Sequence, residues 1–412
     1  MTGISLTGRI DLNAVLLRER LTRLGEQVSS GRKGSSYAVL NTGAPKAMDL
    51  RGDISRREAY QNTIQQTLAK VQVTQDVLDR IGAIAERFTA NTAKLMGATK
   101  PEEIQIQAGQ ARAALVEVAN LLNERYNDEY LFGGTATHQP PIPDPDGILT
   151  SGMTSGIIDE VALLTSANAA TVLANTKALA QSDAYGTTPF SPFLSTNRGW
   201  AVSTPFAVGE MIVSNGNIYR ATAAGTSAST GGGPAGTGTG IVDNGVTWDF
   251  VQPGAIAGGI EGRRNLLSSD NERIEYGIAA NRNGAVVSSG ETTGSWARDL
   301  LRGLASIAGL TPEKSQLGDG YTTFIATVQQ GLKSSVNALA LERGALGVVE
   351  ARMDSIRTFH ESVTLSLTLQ VSEIEEVDMA KTITSFQATQ SQLEASYRAM
   401  AIAQQLSLTR FL

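Results

Sequence analysis

The fold is decided by the stretch at residues 6–31, which reads LTGRIDLNAVLLRERLTRLGEQVSSG. Apolar or small residues recur there every three or four positions, at Leu6, Ile10, Asn13, Leu17, Leu21, Leu24 and Val28. This spacing predicts one amphipathic helix with a single apolar face. The pattern ends at Gly31, a residue that suits the left-handed cap of a helix. Such a helix needs a partner that covers its apolar face.

The carboxyl-terminal residues repeat the pattern and supply that partner. One series has the spacing of a coiled-coil seam, at Leu346, Val349, Met353, Ile356, His360, Val363 and Leu367. A second series follows at Phe386, Gln390, Leu393, Tyr397 and Met400. The spacing slips between them, around residues 372–382. Such a slip predicts a break between two packed helical layers.

Two further helices are predicted near the amino terminus. After a polar loop at residues 32–44, Pro45 stands where the first residue of a helix is often proline. Residues 45–96 then carry apolar positions at heptad-like intervals. A helix of about 50 residues is about 75 Å long, a length typical of a coiled coil. A third helical pattern follows after Pro101 and ends near Asn127.

The middle of the chain has a different composition. Residues 135–294 are rich in Gly, Thr, Ser, Asn and Pro. Alternating segments at 211–213 and 218–221 flank Asn215-Gly216, which predicts a β-hairpin with a tight turn. Residues 225–240 are low-complexity Gly, Thr and Ser, which favours a loop.

We therefore predict an α+β fold. Long antiparallel coiled-coil helices from both termini pack together, and a central β-rich, Gly/Thr/Ser-rich insert lies on the surface. The expected segments are an inner helix and loop at 1–44, a helical rod at 45–134, the central region at 135–294 with a small module at 198–252, a second rod at 295–371, and a second inner helix at 372–412.

Composition excludes several classes of function. The chain has 412 residues, no cysteine and only two histidines, His138 and His360. Disulfide frameworks, thiolate zinc sites and cysteine nucleophiles are therefore excluded. The net charge of −6 argues against a nucleic-acid partner recruited by positive charge. The sequence shows neither a cleavable signal peptide nor an apolar span of membrane length, so we expect no membrane insertion.

No catalytic constellation is found. The nucleophile-elbow, P-loop and zinc-protease motifs are missing, so we expect no catalytic residue, no cofactor and no metal. The carboxylates Glu373, Glu375, Glu376 and Asp378 are either a cation site or a solvated helix face, and the sequence favours the helix face. His360 is expected to be packed in a seam and His138 to lie on a loop. Asp144 and Asp146 resemble a calcium loop but lack its distal Glu.

The aromatic residues of the insert have two interpretations. Trp200, Tyr219 and Trp248, with Phe206 and Phe250, form either the core of a small β module or an exposed platform that stacks on sugars. The sequence favours the core. The stretch 200–250 also resembles small modules of phage tail proteins and chitin-binding domains, a resemblance that implies carbohydrate binding.

Several motifs at both ends resemble one known family. Residues 24–32 are similar to an L-x-x-Q-x-S-S-G-x-R pattern, and residues 78–85 to L-x-R-I-R-E-L-A. Residues 130–134, YLFGG, look like a turn typical of junction proteins and of some flagellins. Residues 374–382, 390–397 and 406–412 are similar to the carboxyl segment of the same family. In this order the motifs resemble the bacterial flagellin family, which includes filament flagellins and hook–filament junction proteins.

The resemblance implies a protein that polymerises through its terminal helices outside the cell. It implies export through the flagellar secretion channel without a cleavable signal peptide. The implied partners are copies of the chain, the neighbouring hook-associated and cap proteins, the export apparatus and an export chaperone. The expected self-assembly residues are Leu6, Ile10, Leu17, Leu24, Val28, Ile374, Val377, Ile383, Phe386, Leu393, Tyr397, Met400, Leu406, Leu408 and Phe411.

Three functions remain open from the sequence. The first is a flagellin that builds the extracellular filament for motility. The second is the hook–filament junction protein of the same family, supported by residues 130–134. The third, from another class, is a secreted glycan-binding adhesin or a phage tail component that carries a coiled coil.

Overall fold

A computed structural model describes residues 6–96, 101–183, 186–191, 194, 199–253 and 263–408. The chain divides into two compact units. The first consists of Met1–Asn62 and Ile356–Leu412, and the second of Thr63–Ser355. The first unit is therefore built from the two ends of the chain, as the paired apolar patterns predict.

The described residues are mainly helical. The α-helices are α1 (Leu6–Ser30), α2 (Ala44–Met96), α3 (Pro101–Leu122), α4 (Gly152–Ala162), α5 (Ala169–Gln181), α6 (Trp296–Ala308), α7 (Asp319–Glu375) and α8 (Met379–Leu408). Short 3₁₀ helices lie at Tyr37–Gly43, Ile148–Thr150 and Pro312–Leu317. The predicted end of α1 is confirmed, because Gly31 follows it with φ of 70°.

The strands are short and antiparallel. They are β1 (Arg125–Tyr126), β2 (Glu129–Tyr130), β3 (Pro205–Phe206), β4 (Met211–Ser214), β5 (Asn217–Ala223), β6 (Gly225–Thr226), β7 (Ile241–Asp243), β8 (Val246–Pro253), β9 (Asn265–Ser269) and β10 (Glu272–Glu275). One sheet has four strands in the order β4-β5-β8-β7, and the other pairs are β1-β2, β3-β6 and β9-β10. The predicted hairpin is confirmed, with Ser214 opposite Asn217 across the Asn215-Gly216 turn.

In the first unit, two pairs of helices pack side by side. Helices α1 and α8 form one pair, and the ends of α2 and α7 form the other. Arg51 binds Glu375, and Gln61 donates a hydrogen bond to Thr364 at 3.4 Å. The residue number thus rises along α2 as it falls along α7, so this pair is antiparallel. Helix α7 ends at Glu375 and α8 begins at Met379, within the predicted slip.

In the second unit, α6 lies at the centre of the helical core. Each of its 13 residues is buried, and α3, α4 and α5 contact it. Ser295 caps the amino end, since its side chain accepts a hydrogen bond from the backbone N–H of Arg298. Two of the buried residues are arginines, and their guanidinium groups therefore require hydrogen-bond acceptors inside the protein.

Those acceptors are backbone carbonyl groups and carboxylates. Arg298 donates to the carbonyl of Ala180 at 2.8 Å and pairs with Asp183. Arg302 donates to the carbonyl of Leu173 at 2.8 Å and to Glu291 at 2.7 Å. The two guanidinium groups thereby tie α5 to α6, and the cost of burying them is offset by this pairing.

The central segment is less β-rich than we expected. Residues 152–162 and 169–181 form α4 and α5, although both lie within the region 135–294. The buried residues Met153, Ile157 and Val161 follow a helical spacing, but the overall composition of the region did not indicate a helix. Ser151 also caps α4 by accepting a hydrogen bond from the N–H of Thr154 at 3.4 Å. Among the described residues of this region, the strands lie within 205–253 and 265–275.

No helix in the described ranges combines the length and the apolar character that a membrane crossing requires.

Gly303 provides a test of the packing around α6. A Cβ atom at this position would collide with the buried side chain of Leu332, whereas one at Gly109 on α3 would meet open space. We expect Gly303→Ala to lower the free energy of unfolding by about 1–3 kcal/mol, the usual cost of overpacking. Gly109→Ala should raise it by about 0.5–1 kcal/mol, because alanine favours helices. Urea unfolding followed by circular dichroism measures both. Equal stability of the two variants would contradict the packing described for α6.

Candidate functional site

The candidate site is the part of the first unit where the two chain ends meet. Helices α1 and α8 are antiparallel, since the end of α1 lies beside the start of α8: the N–H of Val377 donates to the carbonyl of Gly31 at 3.0 Å. The helices approach closely at Gly25, where a Cβ atom would lie 3.6 Å from the ring of Phe386. Among the side chains of this pair that the structure describes, the buried apolar ones are Ala14 and Leu393.

The expected assembly residues occupy different environments. Leu393 is buried, whereas Ile383 and Tyr397 are exposed. The half-buried positions are Leu17, Leu24, Val28, Ile374, Val377, Phe386 and Met400. Positions Leu6, Ile10, Leu406 and Leu408 belong to α1 and α8, but their side chains are outside the described set, as is the whole of Phe411. Thr382 and Thr389 are buried on α8, two positions that the apolar pattern missed.

A joint between α1 and α7 forms at the end of α7. The ammonium group of Lys33 donates to the carbonyls of Glu373 at 2.9 Å and Ile374 at 2.6 Å. The N–H of Lys33 donates to the carbonyl of Glu375 at 2.7 Å. Gln27 holds Lys33 in place by donating to its carbonyl at 2.8 Å. One lysine therefore satisfies three of the carbonyl groups that an α-helix leaves without donors at its end.

A second contact fixes the same end of α7. The guanidinium of Arg51 on α2 donates to both carboxylate oxygens of Glu375, at 2.8 and 2.6 Å. The side chain of Glu375 is buried while that of Arg51 is partly exposed. The hydrogen bond from Arg51 lowers the pKa of the Glu375 carboxyl, and burial opposes this shift. The pair is bidentate, the geometry that gives arginine its directional strength.

Two further carboxylates of this region, those of Glu376 and Asp378, accept local hydrogen bonds. Glu376 accepts a hydrogen bond from the hydroxyl of Ser372 at 3.0 Å, and Asp378 accepts one from the N–H of Lys381 at 3.1 Å. Among the described residues, none of the acidic and histidine side chains form a group that could hold a metal ion. His360 is buried and stacks on Tyr60 with ring centroids 5.6 Å apart, the packed position that the sequence favoured.

The YLFGG turn is held by an arginine that the sequence did not single out. Arg264 donates to the carbonyls of Tyr130 and Gly134, each at 2.6 Å. It also pairs with Glu129 at 3.2 Å. Burial lowers the pKa of Arg264, but these acceptors satisfy the charged group. Residue 264 precedes a short strand with no motif around it, so only the fold could show its role.

The aromatic platform for sugars needs correction. Tyr219 and Trp248 are buried in the core of the β module with Phe206, Ile212 and Val246, and Trp200 packs against that core. The indole N–H of Trp200 donates to Asp243 at 2.5 Å. A sugar ring cannot stack on faces that are already packed. Tyr219 and Trp248 therefore belong to a hydrophobic core, the alternative that the sequence favoured, and the partly buried Trp200 packs against it.

The contribution of Lys33 can be measured at the end of α7. Lys33→Met keeps much of the side-chain length but removes the donor to two carbonyl groups. A hydrogen bond to a charged group contributes about 1.5–3 kcal/mol, so amide exchange in residues 370–380 should become about tenfold faster or more. Lys46→Met, at an exposed position of α2, is the matched control. Unchanged exchange in both variants would refute the cap.

The Arg51–Glu375 pair predicts a pH dependence. The pKa of Glu375 is lowered in the folded protein. The pair therefore contributes fully to the free energy of unfolding above the pKa of an unfolded glutamate, about 4.3. This contribution disappears as the pH falls through the lower pKa of the folded state. In Glu375→Gln, the free energy of unfolding should fall less between about pH 5 and pH 3, because the carboxylate that would be protonated is absent. Glu394→Gln, at an exposed position of α8, should show the full decrease. Thermal unfolding at several pH values distinguishes them, and identical profiles would contradict the assignment.

Comparison with known proteins gives a match to the carboxyl-terminal helices of this chain. Residues 329–412, which comprise α8 and most of α7, match the bacterial flagellin C-terminal helical region. The chain is also similar to flagellar hook-associated protein 3 of Escherichia coli strain K12, with 34% identity over 107 residues. That match covers 25% of this chain and 34% of the relative, so the chain spans about a third of the relative's length. The carboxyl-terminal helices of this chain are therefore similar to those of bacterial flagellins, and the pairing of α1 with α8 joins that region to the amino-terminal end of the chain.

Proposed function

We propose that this chain is a structural subunit of the bacterial flagellum that assembles with copies of itself through its terminal helices. The flagellin family is structural, and the proposal includes no catalytic role. The observation that carries it is the exposed apolar surface of α1, where Leu12, Val15 and Leu16 are each more than half exposed. Contiguous exposed apolar residues on a helix mark a surface that another protein covers.

Helix α8 supports the same proposal. It exposes Ile383, Tyr397 and Ile402, and its 30 residues include only three charged side chains, Lys381, Glu394 and Arg398. A helix pair that leaves apolar residues exposed on both members is marginal alone, because most helix stability in proteins comes from packing. Burial between copies would stabilise it by about 25 cal/mol per Å² of apolar surface removed from water.

Within the flagellum, we propose the role of hook–filament junction subunit. Two observations support this role over that of filament flagellin. The matched relative is named a hook-associated protein, and the YLFGG turn at residues 130–134 resembles that of junction proteins. The filament subunit is the second candidate, favoured by an insert larger than a junction protein usually needs.

The proposed partners and location follow from this role. We propose the extracellular flagellum as the location, reached through the flagellar export apparatus with the help of an export chaperone. The neighbouring partners would be hook-associated and cap proteins. The adhesin or phage tail alternative has less support, because two of the three aromatic residues that would have bound glycans, Tyr219 and Trp248, are buried in the module core.

Electron microscopy of the purified protein, incubated separately with hook fragments and with sheared filaments, tests the role. A junction subunit should form short rings on hook ends. Long tubes grown from filament fragments would instead support a filament flagellin. Binding to neither fragment would contradict both flagellar roles.

A substitution in the α1–α8 pair tests the route of assembly. Leu393→Asp places a charge at a buried position and should abolish assembly, because an unpaired buried charge costs several kcal/mol. Leu267→Asp changes a partly exposed leucine on β9 and should assemble normally. Negative-stain microscopy and sedimentation measure the outcome. Normal assembly of Leu393→Asp would contradict the role given to α8.

A further inference from the structure

Three Asn-Gly pairs occur in the chain, at Asn215-Gly216, Asn244-Gly245 and Asn283-Gly284. The backbone nitrogen after an asparagine can attack the carbon of the side-chain amide, and glycine hinders this attack least because it has no Cβ atom. The first two pairs form the turns of the hairpins β4-β5 and β7-β8. The third pair lies between β10 and α6, and its contacts are of a different kind.

A buried carboxylate lies against the third pair. Glu342 on α7 is buried, and its Oε1 accepts a hydrogen bond from the backbone N–H of Gly284. The N–H of Ala285 donates to both carboxylate oxygens at 3.2 Å. A carboxylate in direct contact with an N–H group meets the geometric requirement for a general base. Glu342 can therefore take the proton from the nitrogen of Gly284 as that nitrogen attacks.

Both polar atoms of the Asn283 side chain have partners suited to the same reaction. Its Oδ1 accepts a hydrogen bond from the backbone N–H of Trp296 at 2.9 Å. An N–H group at this distance stabilises the negative charge that develops on an oxygen when its carbon is attacked. Its Nδ2 donates to the hydroxyl of Ser288 at 2.8 Å, so a hydroxyl proton lies beside the nitrogen that would leave. A base, an oxyanion donor and a proton donor thus surround one asparagine.

Asn244-Gly245 is the matched comparison within the same chain. The N–H of Gly245 donates to the carbonyl of Thr226 at 3.2 Å, and Nδ2 of Asn244 donates to the same carbonyl at 3.0 Å. A carbonyl oxygen accepts hydrogen bonds but, unlike a carboxylate or a hydroxyl, serves neither as a base nor as a proton donor. The same two residues therefore have catalytic partners at position 283 and none of that kind in these two contacts.

We propose that Asn283 is a site of self-catalysed deamidation in the folded protein. The nitrogen of Gly284 forms a bond to Cγ of Asn283 while its proton passes to Glu342. The bond between Cγ and Nδ2 then breaks, and Nδ2 leaves as ammonia with a proton from Ser288, which regains one from Glu342 through water. Water hydrolyses the resulting succinimide ring to aspartate or isoaspartate. The net reaction consumes one water molecule and releases one ammonia, without oxidation or reduction.

The folded protein can accommodate the aspartate product. Asn283 and Gly284 are half-buried, so water can reach the ring. A carboxylate at position 283 keeps an oxygen acceptor for the N–H of Trp296, the first residue of α6, and a negative charge beside the amino end of a helix is favourable. Helix α6 therefore retains its contact. No step requires a second copy of the chain, so the reaction is independent of the proposed function.

Peptide mass spectrometry of the purified full chain, incubated at neutral pH, tests the proposal at all three pairs in one sample. Each conversion is detected by the mass gained when an amide becomes a carboxylate. Conversion at Asn283 should be about tenfold or more faster than at Asn244 and Asn215, since general acid–base catalysis contributes about 100-fold or more. An equal or lower rate at Asn283 would overturn the proposal.

Glu342→Gln tests the base, because glutamine keeps an acceptor for the N–H of Gly284 but takes up no proton at neutral pH. Conversion at Asn283 should become about tenfold or more slower, and conversion at Asn244 should stay the same. Faster conversion at Asn283 would mean that the carboxylate protects the pair, and an unchanged rate would mean that it takes no part. Either result contradicts the proposal.

Two serine variants provide a test that does not disturb a buried charge. Ser288→Ala removes the proton donor and should slow conversion at Asn283, whereas Ser289→Ala, at the exposed neighbouring position, should not. Circular dichroism shows whether each variant is folded. If Glu342→Gln fails to fold, the serine variants decide, and equal rates in the two would refute the mechanism.

Discussion

The rest of the first unit depends on how the end of α7 obtains its hydrogen-bond donors. A helix leaves its last carbonyl groups without partners, and its dipole favours a cation there. Helix α7 has no basic residue in its last turn. Lys33 supplies the charge from 340 positions away, and its own backbone continues into the bridge between Arg32 and Glu376. The contact that ends α7 therefore also fixes where α1 stops and α8 starts.

The same solution recurs in the second unit. Helices α4 and α5 also lack basic residues in their last turns. Lys314 donates to the carbonyls of Ala162 and Leu164 at the end of α4, and Arg298 donates to those of Ala180 and Ser182 at the end of α5. Each cation comes from a distant part of the chain. Helix ends are thus places where tertiary contacts, and not local sequence, set the boundary of an element.

Because tertiary contacts set the helix ends, only some features could be predicted from the sequence. The spacing of apolar residues reports one helix face, so it predicted α1, α2 and the break between α7 and α8. The Asn215-Gly216 pair requires positive φ at both positions, as observed, so it predicted the hairpin. Lys33 and Arg264 escaped prediction, because a cation that caps a distant carbonyl has no periodic neighbours. Helices α4 and α5 escaped because they lie within a long segment rich in glycine, serine and threonine, and that overall composition outweighed a short apolar spacing.

The contrast between α6 and α8 supports the assembly that we propose for the two ends of the chain. Helix α6 is buried on every side, so its stability is complete within one chain. Of the apolar residues on α8, Leu393 is buried while Ile383, Tyr397 and Ile402 are exposed. The free energy that α8 can gain from burying those residues is therefore still available in a single copy. A second chain can supply that burial, and the contacts of Gly31, Arg32 and Lys33 with residues 373–377 fix where α7 ends, four residues before α8 begins. Order within one copy then limits the entropy lost on association, which is how preorganisation strengthens binding.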